Sequence, residues 1–334
     1  MTSAVRYYII IEWSLSSRKK YVFQEAMTHL LEQNMSDIFK TISAIPVTPF
    51  RSSGEVDLDA YMSNVQRMIE GGIHSITLNG NTGEFYALEP DECRCIIEAT
   101  GQAFANRAVL TVGVGFDLAT ATTMARFAKR HGAVAIMIHQ PLHPYQSTDG
   151  WVAYHRAIAD AVPELGVVPY VRDANVSRTM LQALFDACPN VVAVKYALPH
   201  PLSFAAMVQA IGTERATWIC GLAEAWAPFF WLGGARGFTS GLVNVRADLS
   251  LKMLVAMQSN DYTTAMQIWA QVKPFEDLRA RHGNANNVSV IKEAMMQLGL
   301  CGRVVRPPLI ELSQTERSEV RALLAVWEEI QEAQ

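Results

Sequence analysis

Charged residues are scarce. Asp, Glu, Lys and Arg make up 18% of the 334 residues, against 50% hydrophobic. A chain so composed buries a core rather than staying disordered. An excess of positive charge is also missing: 28 Lys and Arg stand against 32 Asp and Glu, a net of −4. No basic field exists to hold a polyanion, so nucleic acid is excluded as an expected partner. Cysteine is sparse, at positions 93, 95, 188, 220 and 301, with no CxxC pair. Five thiols cannot all pair with one another, and two sit in or beside apolar runs. That pattern fits a reduced, cytoplasmic protein, with neither a disulfide scaffold nor a zinc site. No run of 18 apolar residues escapes interruption by a charge, so no membrane partner is expected. The apolar run 7–11 is stopped by Glu12, too early for a signal-peptide core.

What is present is a regular alternation from residue 42 onward. Short apolar runs at 42–47, 75–78, 109–114, 134–138, 167–171, 191–195, 217–220 and 237–239 read as strands buried on both faces. Amphipathic stretches at 58–70, 89–103, 120–130, 150–161, 178–187, 203–211 and 224–232 read as helices between them. Eight strands with intervening helices predict a closed (β/α)8 TIM barrel. A doubly wound sheet would show fewer strands and a glycine-rich phosphate turn, and no GxGxxG follows 42–47. Four further helices are expected at 249–258, 262–281, 288–298 and 314–331, with Asp261 and Ser313 as caps. The expected organisation is an N-terminal extension over 1–36, a barrel over 37–247 and a helical region over 248–334 packed on it. A surface helix over 21–32 is the alternative reading of the extension.

In such a barrel the chemistry lies at the C-terminal ends of the strands. Lys195 ends the run Val191-Val192-Ala193-Val194, so its stem starts inside an apolar wall. Desolvation there favours the neutral amine, a nucleophile for a carbonyl. The competing reading is a structural lysine paired at the rim. Tyr170 ends a neighbouring strand, where a phenol can relay protons; a core tyrosine is the plainer reading. Thr82 and Gly83 lie in a glycine-bearing turn whose N–H groups and hydroxyl suit a carboxylate, or form only a βα turn. Glu84 reads as a base or as a cap for the next helix. His139 and His143 are four apart, but Pro141 and Pro144 deny them a shared helical face, so no metal and no other cofactor is expected. Trp226, Phe229, Phe230 and Trp231 read as a core stripe.

These motifs converge. From about residue 42 to 312 the chain resembles the dihydrodipicolinate synthase / N-acetylneuraminate lyase family, on Gly80-Asn81-Thr82-Gly83-Glu84-Phe85, Tyr170 and the lysine of Val-Val-Ala-Val-Lys-Tyr-Ala. The resemblance implies Lys195 as a Schiff-base lysine for a 2-oxo acid, Tyr170 as proton carrier, and Thr82, Gly83 and Asn81 on the substrate carboxylate side. It also implies a homodimer or homotetramer. Asn81 stands where the synthases carry the first threonine of a Thr-Thr pair that belongs to their proton relay. Leu142 and His143 stand near the place of their Tyr-Tyr pair, with Tyr145 close by. The stretches 171–175, 237–244 and 306–309 are similar to the 5-dehydro-4-deoxyglucarate dehydratase branch. A substrate with a second carboxylate or several hydroxyls needs a cation and donors. Arg172, with Arg178 as rival, is read as the cation, and Ser240 and Asn244 as the donors.

The expectation is therefore a class I lyase for a 2-keto-3-deoxy sugar acid. Dihydrodipicolinate synthesis from pyruvate and an aldehyde is the alternative. Readings of other classes are a barrel that only binds a 2-oxo acid and a metal-dependent aldolase built on His139 and His143.

Overall fold

Where each element starts and stops follows from local chemistry. In the computed structural model, which describes residues 35–332, the strands are β1 (Ile42–Ala44), β2 (Ser75–Leu78), β3 (Val109–Val114), β4 (Ala135–Ile138), β5 (Gly166–Val171), β6 (Ala193–Tyr196), β7 (Thr217–Cys220) and β8 (Gly237–Ser240). Each pairs in parallel with the next, and β8 closes on β1. β1 stops at Ala44 rather than at residue 47. Pro46 has no N–H to give to a ladder, and Val47 donates instead to Asn244 Oδ1 at 3.0 Å.

The helices are α1 (Leu58–Glu70), α2 (Pro90–Phe104), α3 (Leu118–Arg130), α4 (Thr148–Asp160), α5 (Arg178–Ala187), α6 (Pro201–Ile211), α7 (Ala227–Leu232), α8 (Val243–Gln258), α9 (Tyr262–Asn284), α10 (Asn287–Gln297) and α11 (Gln314–Glu332). Asp57, Asp117, Ser147 and Ser177 cap α1, α3, α4 and α5, each accepting a first-turn N–H at 2.9–3.2 Å. Such a cap stabilises its helix by about 1 kcal/mol. Asp261 does the same for α9 at 3.0 Å, and Ser313 opens α11 through Glu316 N at 3.4 Å. Among the described residues no helix is long and apolar enough to cross a membrane, and all five cysteines are free thiols.

Alternation along each strand sorts the core into two layers. Ile136, Ile138, Val167, Val171, Val194 and Tyr196 pack outward against the helices. Ala135, Met137, Val168, Tyr170, Ala193 and Ile219 fill the lumen. Ile38 and Phe39 join this inner layer from a 3-10 turn, Met35–Phe39, where Thr217 Oγ1 donates to the Ser36 carbonyl at 2.7 Å.

Two expectations shift. Met35 and Ser36 belong to the barrel rather than to an extension, while residues 1–34, the 21–32 segment included, lie outside the described residues. The expected boundary at 247 lies one residue past Arg246, whose non-helical backbone (φ −137°, ψ 74°) breaks α8 into a short first turn and a longer second segment. α7 begins at Ala227 rather than at 224. Ala223 adopts a left-handed φ of 61° and Glu224 turns into the interior.

Candidate active site

Tyr170 and Lys195 are register partners on β5 and β6, so the alternation that turns Val168 and Ala193 into the lumen turns both of them there too. The Lys195 ammonium lies 3.9 Å from the Tyr170 ring centroid and 3.6 Å from Met137 Sδ. Lys195 is 4% exposed. Burial, helped by the charge of Arg172, lowers its pKa to about 7. Burial pushes the Tyr170 phenol upward, opposed by Arg172 and by the Asn81 amide. Asn81 Nδ2 donates to Tyr170 Oη at 3.5 Å. Arg172 is exposed, with its guanidinium 5.8 Å from the Tyr170 ring. Its field reaches Lys195, Tyr170, Tyr86 and His139. Arg178 is exposed on the first turn of α5.

The turn after β2 carries Thr82 buried, but Gly83 N–H is spent on the Gly80 carbonyl at 3.0 Å. Gly83 therefore contributes shape and a carbonyl that accepts from Thr48 Oγ1 at 2.7 Å, rather than a donor for a carboxylate. Glu84 is neither base nor cap. Its carboxylate meets Lys292 of α10 at 2.5 Å, with both side chains wholly buried, and accepts from Arg306 N at 2.9 Å. α2 is capped instead by Glu89 with Glu92.

Ser240 and Asn244 are corrected as substrate donors. Gly237 and Thr239 take the lumen positions of β8, so Ser240 faces outward and donates to Glu224 Oε1, beside Ser250. This cluster lies between barrel and helices, where burial and then the Glu276 charge raise the Glu224 pKa to about 7. Asn244 donates to the carbonyls of Ile45 (2.9 Å) and Gly241 (2.8 Å) and accepts from Val47. Its amide hydrogens are used in tying β1 to the loop after β8.

His139 and His143 part company. His139 is wholly buried, whereas His143 sits on the exposed loop after β4 with Nδ1 2.8 Å from the Tyr145 carbonyl. They share no metal-binding geometry, and no cluster of three His, Cys, Asp or Glu side chains suited to a metal forms among the described residues. His143 and Tyr145 pair with each other in solvent rather than with Lys195.

Two residues at the site, Met137 and Tyr86, went unassigned in the sequence, and a third, His139, was weighed there only as a metal ligand. Met137 touches the Lys195 amine. His139 continues the same face of β4 and stands edge-on to Tyr170 with ring centroids 6.0 Å apart. Tyr86 packs on His139 and Phe116 at 5.3 and 5.8 Å, and burial pushes its phenol up to about 12 against the pull of Arg172. The period-two pattern of 135, 137 and 139 was a signal for Met137 and His139; Tyr86 had none.

The dihydrodipicolinate synthetase family model matches residues 38–326. A probable 5-dehydro-4-deoxyglucarate dehydratase of Bradyrhizobium diazoefficiens is 28% identical, over 89% of this chain and 96% of that protein. A 4-hydroxy-tetrahydrodipicolinate synthase of Phenylobacterium zucineum is 30% identical, over 86% and 97%. The crystal structure of dihydrodipicolinate synthase from Bacillus clausii aligns with a TM-score of 0.84 at 42% identity, covering 88% of this chain and 99% of that one.

Proposed function

The chain belongs to the dihydrodipicolinate synthetase family, whose members are Schiff-base lyases, and we propose that Lys195 forms the imine and that the substrate is a 2-keto-3-deoxy sugar acid, dehydrated or cleaved. The observation that carries this is the Lys195 amine, buried against the Tyr170 ring at 3.9 Å with its pKa lowered to about 7. A neutral amine attacks the C2 carbonyl, the carbinolamine loses water, and the protonated imine draws electrons from the neighbouring carbon. Tyr170 takes and returns the protons of these steps. The C1 carboxylate lies against the hydroxyl and backbone N–H of Thr82, and Arg172 meets a charge or hydroxyl farther out.

Condensation of pyruvate with an aldehyde is the second reading, favoured by the synthase names among the relatives. Asn81 weighs against it. An amide offers Tyr170 a hydrogen bond but, unlike a hydroxyl, does not pass a proton onward.

Borohydride trapping with pyruvate and then a panel of 2-keto-3-deoxy sugar acids tests the imine, read by peptide mass at Lys195. Because the free amine reacts, the trapping rate should climb between about pH 6 and 8 and level off above that, well below the ordinary lysine range. A rate still climbing past pH 9 would show an amine with an unperturbed pKa. No adduct in folded protein would leave a barrel that only binds its ligand.

The assembly belongs to the same proposal. Leu142 and Tyr145, 58% and 84% exposed on the loop after β4, are read as a face for a second copy in a homodimer or homotetramer. Sedimentation should give a multiple of the 37.0 kDa chain mass; a single-chain species overturns this.

A further inference from the structure

His139 is the buried titratable group of the lumen that the imine chemistry leaves unused. Strand alternation places it directly beyond Met137, whose sulfur touches Lys195. Its ring lies flat on Phe85, with centroids 4.1 Å apart and planes 3° from parallel. Nε2 stands 2.8 Å from the Asn79 carbonyl oxygen. A carbonyl only accepts, so Nε2 carries the hydrogen and Nδ1 of the neutral ring is a bare lone pair. That nitrogen is buried without a hydrogen-bond partner among the described residues. Buried polar atoms are normally paired, and an orphan of this kind calls for a donor.

The backbone makes room for this ring. A Cβ on Gly113 would fall 2.7 Å from His139 Nε2 and 2.2 Å from the Asn79 oxygen. Asn79 itself adopts a left-handed φ of 53°, a conformation that costs energy and that asparagine tolerates better than most residues. The Asn79 side-chain amide and Asn81 Oδ1 are likewise buried and unpartnered. None of these atoms carries a formal charge, so a hydroxyl suits each of them better than a second carboxylate does. Burial and the charges of Lys195 and Arg172 hold His139 unprotonated, so it stays an acceptor across the neutral range.

We propose that His139 is a specificity-determining residue of this site, accepting at Nδ1 a hydrogen bond from a hydroxyl of the 2-keto-3-deoxy sugar acid held on Lys195. The proposal rests on the Schiff-base reading above. Pyruvate has the ketone and carboxylate but no hydroxyl, so it probes the imine alone. 2-Keto-3-deoxygluconate adds the hydroxyls.

The test is the ratio of half-saturating concentrations for borohydride trapping of these two acids on Lys195, in the full chain. His139→Phe keeps a flat ring on Phe85 and removes the lone pair together with the Nε2 donor to the Asn79 carbonyl, a loss that pyruvate trapping shares and the ratio cancels. The variant should reduce the preference for 2-keto-3-deoxygluconate by roughly tenfold, the scale of one hydrogen bond to a buried acceptor. A ratio unchanged from wild type overturns the assignment and leaves Nδ1 to a resident water. Wild-type protein that traps neither acid overturns the imine reading, and this proposal with it. A second readout needs no variant. The 15N resonance of the bare Nδ1 in wild type should move upfield with 2-keto-3-deoxygluconate and stay in place with pyruvate; no movement with either counts against the contact.

Discussion

Lys195→Met should abolish borohydride trapping and lower turnover by at least ~10³-fold, yet melt at a higher temperature than wild type at neutral pH. The two effects have one cause. The Lys195 amine is buried against a ring and a thioether rather than a carboxylate. A charge held this way is poorly compensated. Its folded pKa of about 7 lies below the ordinary lysine value of 10.5. Between those two values the unfolded chain holds a proton that the native chain has lost, so stability rises with pH across that window. Below pH 7 the native lysine is charged and the full penalty applies, on the order of a few kcal/mol. Methionine matches the stem and carries no charge. The advantage of the variant should therefore be largest near and below pH 7 and shrink as pH approaches 10.5. Differential scanning calorimetry at pH 6.5 and 9.5, beside a turnover assay, reads both effects. An inactive variant that melts lower at pH 6.5 would mean that the amine has a partner stabilising its charge.

Lys292→Met carries the second large effect, and its sign is opposite. Lys292 and Glu84 are both wholly buried and meet at 2.5 Å. Lys292 also donates to the Val304 carbonyl at 2.8 Å and lies 4.1 Å from the Phe50 ring centroid. Removing the cation leaves the Glu84 carboxylate in the interior with only the Arg306 N–H. Breaking a buried pair from one side costs about 3–5 kcal/mol. The double variant Glu84→Gln/Lys292→Met removes both charges and should recover at least half of that loss in urea unfolding. A single substitution costing under about 1 kcal/mol would show that the pair is not held as described. The loop of Thr82 ends in Glu84, which adopts a left-handed φ of 59° and is held there by this pair. The single variant should thus also raise the half-saturating pyruvate concentration for trapping more than it lowers the maximal trapping rate.

The two lysines show what the sequence could and could not reveal. Lys195 was legible because a lysine at the end of an apolar strand run in a barrel has few places to go but the lumen. The strand and helix order was legible for a similar reason: strands buried on both faces and capped helices leave separate local signatures. Lys292 was not, since its partner lies more than 200 positions away and nothing near it marks a buried charge. Ser240 and Asn244 were misassigned because the donors that a polyhydroxy substrate needs, and not strand register, placed them at the site. The register with β1 puts Thr239 inside and Ser240 outside. Glu224 failed as a helix start because burial against Ser240 and Ser250 outweighed its helix propensity. His139 was weighed only as half of a metal pair, and the face it shares with Met137 went unused.

The Glu84–Lys292–Arg306 tie has a consequence for the life of the chain. The carboxylate of one early βα turn accepts from a backbone group 222 residues downstream. During synthesis the eight strands leave the ribosome before that partner exists, since β8 ends at Ser240. A nascent barrel can close while the turn of Thr82 still lacks the anchor that fixes it, because long-range contacts form late. The anchor of this turn therefore arrives only after all eight strands, with Lys292 of α10 and the Arg306 N–H beyond it.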